Sequence, residues 1–476
     1  MEYEIVIGLE VHAELATKTK MYCGCTAEFG GQPNTHVCPV CMGLPGALPH
    51  INKRAVDYGI KAGLALNCSI THIGRMDRKH IFYPDNSRNY QITQDELPLC
   101  TNGYIEIELE DGSKKKIGVE RIHIEEDAGK LLHTNAGTLV DFNRCGVPLA
   151  EIVSKPDMRS PKEAVTYLEE LKSILSCVGV SDCKMEEGSL RCDANISVMK
   201  KGAKEFGVRT EIKNMNSFKA VEKALNYEYE RHIKAIESGE KLTQETRRWD
   251  DAKNETAPMR SKEEANDYRY FPEGDLVTLN IDDEWIESIR KTIPELPYQK
   301  RERFIKEFGI PKYDASVLTL TMSMADFFEK TAKISGDAKS ASNWLMGDIS
   351  KIMKENYVWI EDLKFTPEQL SELIKLINEG TVSNAIGKKV IIKMFETGKS
   401  PKNIIEEEGL IQNSNEDEIL NIVKEVLSEN EKSIEDYKNG KNRVVGFLIG
   451  LVMKKTKGKA NPKIVNKLMI DELNKQ

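Results

Sequence analysis

The chain has 476 residues, enough for about three domains at roughly 150 residues each. Hydrophobic residues make up 40% and charged residues 30%, a mixture too apolar for intrinsic disorder. With 68 Lys plus Arg against 76 Asp plus Glu, the net charge is −8, which excludes a uniformly basic nucleic-acid binder but not a local basic patch. The longest apolar run, 444–453, is about half of the roughly 18 residues a membrane span needs. The first residues lack the basic start and apolar run of a secretory signal. The chain therefore reads as cytoplasmic, with no membrane partner.

Alternation over 4–14 predicts a strand with Ile5, Ile7, Leu9 and Val11 on one side and Gly8, Glu10, His12 and Glu14 on the other. Cysteines follow. All ten lie at or before Cys192, and all eight histidines at or before His232, so metal and proton chemistry belongs to the N-terminal half. Thiols of a cytosolic protein are expected to be reduced rather than bridged. Cys23 and Cys25, then Cys38 and Cys41, form two close pairs across a short loop, a pattern that supplies four thiolates to one tetrahedral zinc. The alternative is four unligated thiols. A zinc with four protein ligands has no open position, so its role would be to fold the loop.

Strands are expected at 104–110 and 116–125, joined by the hairpin signal Asp111-Gly112, and at 138–143. Over 121–127, Ile122 and Ile124 face one way while His123, Glu125 and Asp127 face the other. Glu151 shares a face with Leu149 and Val153, where a lone carboxylate costs several kcal/mol, roughly, unless a cation or partner satisfies it. A helix starts at Ser160-Pro161 and runs to about 178, and a second follows Ser217 to about 238. Between them, strands are expected at 189–199, with Arg191, Asp193 and Asn195 on one face, and at 207–213, with Arg209, Glu211 and Lys213 on one face. After Pro294 and Pro297 the chain becomes helical, with 3.6-residue apolar spacing over 323–332, 340–355, 367–378 and 382–397. In the last segment, 404–437 has 11 acidic and 2 basic residues, whereas 438–467 has nine basic residues and no acid. That step reads either as solvated helix faces or as a phosphate-contacting end.

A single polar strand face is ordinarily just half exposed. Several strands with charge of both signs suggest a shared concave site. Carboxylates with one imidazole suit Mg²⁺ or Mn²⁺, and the Arg and Lys suit phosphate. Together they look like nucleotide-dependent phosphoryl transfer. Neither G-x-x-x-x-G-K-[ST] nor a strand–G-x-G-x-x-G–helix unit is present, so an ATP site would be atypical and built on a β-sheet.

Strings spread along the whole chain resemble one family. They are Ile7-Gly-Leu-Glu-Val-His12, Asp77-Arg-Lys79 with Phe82-Tyr-Pro-Asp85, Tyr90-Gln-Ile92, Glu125-Glu-Asp-Ala-Gly-Lys130 and Glu186-Glu-Gly-Ser-Leu-Arg-Cys-Asp-Ala-Asn195. Glu211-Ile-Lys-Asn214, Gln244-Glu-Thr-Arg-Arg248, Asp267-Tyr-Arg-Tyr-Phe-Pro272 and Asn343-Trp-Leu-Met-Gly347 continue the match. The chain is similar to the B subunits of bacterial tRNA-dependent amidotransferases, the GatB family of GatCAB complexes. One departure is Gly274, where the family commonly has Pro.

The resemblance implies an α+β fold: a β-rich cradle over 1–292 with a zinc-binding loop at 23–41, a helical domain over 293–403, and a small YqeY-like tRNA-binding tail over 404–476. It implies ATP-dependent phosphorylation of the side-chain carboxylate of misacylated Glu-tRNA(Gln), Asp-tRNA(Asn) or both, then amidation. No amidase signature of the Ser-Ser-Lys type and no candidate N-terminal Cys nucleophile is found, so ammonia would come from a separate amidase (glutaminase) partner, GatA, joined by the small third partner GatC. Glu10, His12, Glu125 and Glu151 are then the expected magnesium ligands, Asp193 next among catalytic residues, with His123 and Asp127 less central. Lys79, Arg191 and Lys213 are candidates for phosphate or the substrate carboxylate, and Tyr83, Tyr90 and Tyr270 for stacking on adenine or the terminal adenosine. Lys441, Arg443, Lys454, Lys455, Lys457 and Lys459 are candidates for the tRNA backbone. Two rivals are a zinc-containing tRNA adaptor and a metal-dependent hydrolase.

Overall fold

A computed structural model describes residues 2–261, 268–410, 415–438, 443–456 and 460–475, with residues 260 and 261 described by backbone alone. The chain divides into two compact units, Met1–Leu296 and Pro297–Gln476.

The first unit is built on a nine-stranded mixed sheet. Its strands are β1 (Tyr3–Glu14), β2 (Ser69–Ile70), β3 (Cys100–Glu108), β4 (Lys114–Glu126), β5 (Pro148–Ser154), β6 (Leu190–Lys200), β7 (Thr210–Lys213), β8 (Glu245–Asp250) and β9 (Glu255–Ser261). They lie in the order β9-β8-β7-β6-β1-β5-β4-β3-β2. Every neighbouring pair is antiparallel except β7 and β8. All of β5 is buried, while the C-terminal half of β1 alternates buried residues with the partly exposed Glu10, His12 and Glu14.

Helices α1 (Lys53–Ala65), α2 (Pro161–Cys177) and α3 (Phe218–Ser238) pack on one face of the sheet. That face is apolar because alternation turns Ile5, Ile7, Leu9, Val11, Ile122 and Ile124 towards it, each buried. Ser160 caps α2 by accepting the Glu163 N–H, with Pro161 in the first turn, and Ser217 caps α3 by accepting the Ala220 N–H.

The sequence reading missed α1. Two glycines inside it, Gly59 and Gly63, lower its helix propensity. Both are needed by packing: a Cβ at Gly59 would lie 2.4 Å from Leu99 Cδ2, and one at Gly63 2.3 Å from Cys100 Sγ. The strand expected over 207–213 is shorter, Thr210–Lys213. A Cβ at Gly207 would meet the Val198 carbonyl oxygen at 2.0 Å, so that glycine crowds the backbone of β6 rather than continuing β7. The opposite sheet face is partly covered by a hairpin of Asp77–His80 with Tyr90–Thr93, edged by Phe271–Pro272.

The second unit is helical and holds two hydrophobic clusters. One runs from Phe304 to Ile405 in sequence, the other from Ile419 to Leu473. The tail expected from 404 begins inside helix Pro401–Glu407, whose Ile404 and Ile405 belong to the first cluster. The helix expected over 340–355 is broken by a π turn, Leu345–Ile349, where Ser350 donates its hydroxyl to the Leu345 carbonyl at 2.6 Å. Among the described residues, no helix is long and apolar enough to cross a membrane.

Candidate active site

The sheet register builds the site. Because β5 pairs with β1 on one side and β4 on the other, Glu151 lies directly between His12 and His123, and His12 lies opposite Arg191 of β6. Four polar residues thus form one row across four strands, on the face away from the helices. Glu125 stands two residues beyond His123 on the same side of β4. His123 Nε2 is 3.0 Å from Glu151 Oε2 and 3.6 Å from Glu125 Oε2. His12 Nε2 is 3.4 Å from Glu151 Oε2 and 3.7 Å from Glu125 Oε1. Thr93 of the covering hairpin donates its hydroxyl to Glu125 Oε2 at 3.1 Å.

Burial and charge oppose each other here. Burial alone would push both imidazoles down, but the Glu151 and Glu125 carboxylates outweigh it, raising His12 and bringing His123 to about 9. For the acids, burial pushes up while the two imidazoles pull down, leaving Glu125 lowered and Glu151 well below the carboxylate range. One ligand atom each from His12, Glu125 and Glu151 lies within 4.8 Å of the others. Ligands at roughly 2.1 Å around an octahedral ion sit about 3 Å apart, so this donor set suits Mg²⁺ or Mn²⁺.

The group opens on a cavity of 360 Å³ whose lining includes Lys79, Tyr83, Asp127, Arg191 and Asp193. Burial would discourage charge on Lys79, but Glu125 first and Glu151 after it hold the ammonium charged. Arg191 grips Asp127 with both guanidinium nitrogens, at 3.2 and 2.7 Å. Lys213 donates to Asp193 at 2.5 Å and lies 3.4 Å from Glu211. Arg191 and Lys213 therefore reach the site already holding carboxylates.

The remaining expected residues separate. Glu10 stands one row along from His12, opposite Asp193 and Val153, and is not in the close donor group. It accepts from Asn195 Nδ2 at 2.8 Å and lines a second cavity of 250 Å³ with Gly8, Phe206 and Arg209. The Tyr90 ring is engaged by Arg78, 4.5 Å from its centroid, and Arg88 at 5.4 Å. Tyr270 packs edge-on against Tyr268. His123 sits deeper in the group than the sequence reading ranked it. Its alternation with Glu125 was visible, but its pairing with Glu151 depends on register between separate strands. Thr93 and Gln91, another lining residue, were missed because the hairpin that carries them is placed by tertiary contacts.

The four cysteines form a second donor group, with one Sγ from each within 4.8 Å of the others. Cys38 Sγ and Cys41 Sγ are 3.9 Å apart, close to the ~3.8 Å edge of a tetrahedron with 2.3 Å Zn–S bonds. The Cys38 N–H donates to Cys41 Sγ at 3.2 Å. The Cys41 thiol is pulled down to about 4, first by its hydrogen bond with Cys23 and further by Lys20, while Cys25 is pushed up to about 11 by burial. The donor chemistry fits zinc.

Of the tail cations, Arg443 and Lys454 are exposed on helix Arg443–Lys455. Lys455 is tied to Glu425 at 2.9 Å and Glu429 at 2.8 Å. Lys441, Lys457 and Lys459 lie outside the described residues.

An α+β chain with helices on one sheet face, and a divalent-ion donor group flanked by cations on the other, has the layout of an enzyme that handles anionic substrates. Residues 5–287 match the GatB/GatE catalytic domain, and residues 326–473 match the GatB domain. The chain belongs to the GatB family. It is 72% identical over 475 residues to the aspartyl/glutamyl-tRNA(Asn/Gln) amidotransferase B subunit of Clostridium botulinum strain Hall, covering 100% of both chains. It is 71% identical, with the same coverage, to the protein of that name from Clostridium tetani.

Proposed function

We propose that this chain is the carboxylate-activating component of a tRNA-dependent amidotransferase, a ligase forming a carbon–nitrogen bond with glutamine as amido donor. The side chain of Glu-tRNA(Gln), Asp-tRNA(Asn) or both is phosphorylated by ATP and then amidated. The observation that carries this reading is the row His123–Glu151–His12 with Glu125, which assembles a divalent-ion donor set on an open sheet face beside Lys79.

His12, Glu125 and Glu151 would hold Mg²⁺ or Mn²⁺, which when bound neutralises phosphate charge. His123 fixes Glu151 and Glu125 from the buried side. Lys79 supplies a positive charge to the mouth of the same cavity, suited to a carboxylate or a transferring phosphoryl group. Asp127 orients Arg191 at the cavity, and Asp193, which also lines it, holds Lys213 of β7. Glu10 lines the second cavity, opposite Asp193 of the first. Phe206 and Arg209 in the second one offer an apolar ring and a cation, which supports seating the nucleotide there, one strand step from the donor group.

A carboxylate resists ammonia because it is anionic and oxide is a poor leaving group. An acyl phosphate removes both obstacles, but it must be kept from water. The half-covered cavity meets that need. Ammonia would come from the glutaminase partner GatA, with the small partner GatC, and the tail's Arg443 and Lys454 would contact tRNA backbone. The four-cysteine loop would carry a structural zinc.

The test is ADP and amide formation by the reconstituted heterotrimer with Glu-tRNA(Gln), comparing wild type with Glu125→Gln and Glu151→Gln. Both products should fall on the order of 10³-fold, several kcal/mol of lost charge stabilisation, while basal glutaminase persists. Wild-type amide formation in both variants would refute the site.

A further inference from the structure

Lys20 lies three residues before the first cysteine of the loop, and its side chain is completely buried. A buried ammonium needs an anion, because taking the charge out of water costs several kcal/mol, roughly, when no partner compensates. Among the described residues, no carboxylate lies within ion-pair distance of it. Its Nζ instead donates to the His36 carbonyl at 2.7 Å, to the Phe142 carbonyl at 3.3 Å, and to Cys41 Sγ at 3.7 Å. An ammonium has three N–H donors, and all three are used. The carbonyls are neutral, so the sulfur is the anionic partner.

The backbone around Lys20 is fixed by the same loop. Its N–H donates to the Cys25 carbonyl at 2.9 Å, and its carbonyl accepts from Asn52 Nδ2 at 3.2 Å. The ammonium cannot swing to solvent without opening the loop. Four thiolates around one divalent ion leave net negative charge in a half-buried place, and a fixed cation against the one buried sulfur, Cys41, offsets it.

We propose that Lys20 is the internal counter-cation of the four-cysteine metal site, and that its N–H···S contact to Cys41 sets how tightly that site retains zinc. This rests on the zinc reading of the four cysteines. In sequence Lys20 looks like one more surface lysine.

The test uses the purified heterotrimer. Zinc content is measured by atomic emission, and zinc release by transfer to a chromogenic chelator. Wild type should carry one zinc per chain. Lys20→Met should release it about 10–100-fold faster, the usual cost of losing a partner outside the ligand shell. Release at the wild-type rate from a zinc-loaded Lys20→Met would overturn the proposal while leaving the zinc site standing. A wild-type heterotrimer with no zinc would overturn both. Should Lys20→Met fail to fold, Lys20→Gln keeps a donor but drops the charge. It must also release zinc faster than wild type, and equal rates would overturn the proposal. In cobalt-loaded protein the thiolate-to-cobalt absorption band should shift on substitution, and an unshifted band would count against the contact.

Discussion

Two histidine–carboxylate clusters lie on the same sheet and are built to opposite ends. In one, Glu228 of α3 is fully buried and takes Arg231 at 2.8 Å, Arg247 of β8 at 3.1 Å, and the Thr256 hydroxyl. His232, one turn on, lies 3.4 Å from the same carboxylate and shares a hydrogen bond with Thr210 at 2.9 Å. In the other, Glu125 and Glu151 meet only imidazoles at ion-pair distance among the described residues, and the group opens on a cavity. Arginines close and neutralise the first cluster, which is what a structural network requires. In the second, the two carboxylates are balanced by titratable imidazoles and face a cavity, so an arriving ion or substrate can compete for them. The difference separates a staple between helix and sheet from the proposed reaction centre, although both read as Glu and His in sequence.

The contrast breaks most sharply under paired substitution. Glu151→Gln should lower amide formation on the order of 10³-fold with a smaller loss of stability than at Glu228, since its partners are imidazoles rather than arginines. Glu228→Gln should do the reverse, with about 3–5 kcal/mol lost in urea unfolding and near-normal turnover per folded molecule. A Glu228→Gln variant with normal stability, or a Glu151→Gln variant with normal turnover, would erase the distinction.

The same contrast predicts opposite pH limbs. Glu228 is held at about 2 in the folded state: burial opposes its charge, but His232, Arg231 and Thr256 outweigh it. Its contribution is present above the ordinary carboxylate pKa and is lost as pH falls from about 4.5 through 2, worth roughly 3 kcal/mol. His123 runs the other way. Its folded pKa is raised to about 9, so its contribution is complete below about 6.5 and disappears as pH rises through 9. Urea unfolding across pH should show both limbs in the metal-free protein. Glu228→Gln should reduce the acid limb, to which Glu151 and Glu125 also contribute, and His123→Gln should flatten the alkaline limb.

Legibility in the sequence follows the same line. Alternation alone put His12, His123 and Glu125 on polar strand faces, and the stray carboxylate of Glu151 on an apolar face already asked for a partner. What alternation cannot supply is register, which decides that Glu151 sits between the histidines while Glu10 lies one row away beside Asn195. Helix α1 hid behind Gly59 and Gly63, and Lys20 behind its ordinary composition. In each case a long-range packing partner, not a local preference, explains the residue.

Phe206 offers a milder test of how the polar face is used. It is 56% exposed beside Arg209 in the cavity next to Glu10. If the nucleotide seats there, Phe206→Ala should raise the KM for ATP about 10-fold, as expected for about 1–3 kcal/mol of base stacking, with kcat nearly unchanged. An unchanged KM would move the nucleotide away from the second cavity without touching the donor group.

The smallest effect belongs to the tail. All three cations are exposed, but Lys455 is paired with Glu425 and Glu429, so the three should not be equivalent. Each lost phosphate contact should weaken tRNA binding modestly and reduce the slope of log K against log salt by about 1. Arg443→Gln with Lys454→Gln should therefore flatten the slope by about 2, while Lys455→Gln should leave it within error of wild type. The heterotrimer titrated with tRNA at several salt concentrations reads this directly. Equal slopes for wild type and the double variant would return the basic end of the tail to an ordinary solvated helix face, and a large change from Lys455→Gln would mean its carboxylate partners release it when RNA arrives.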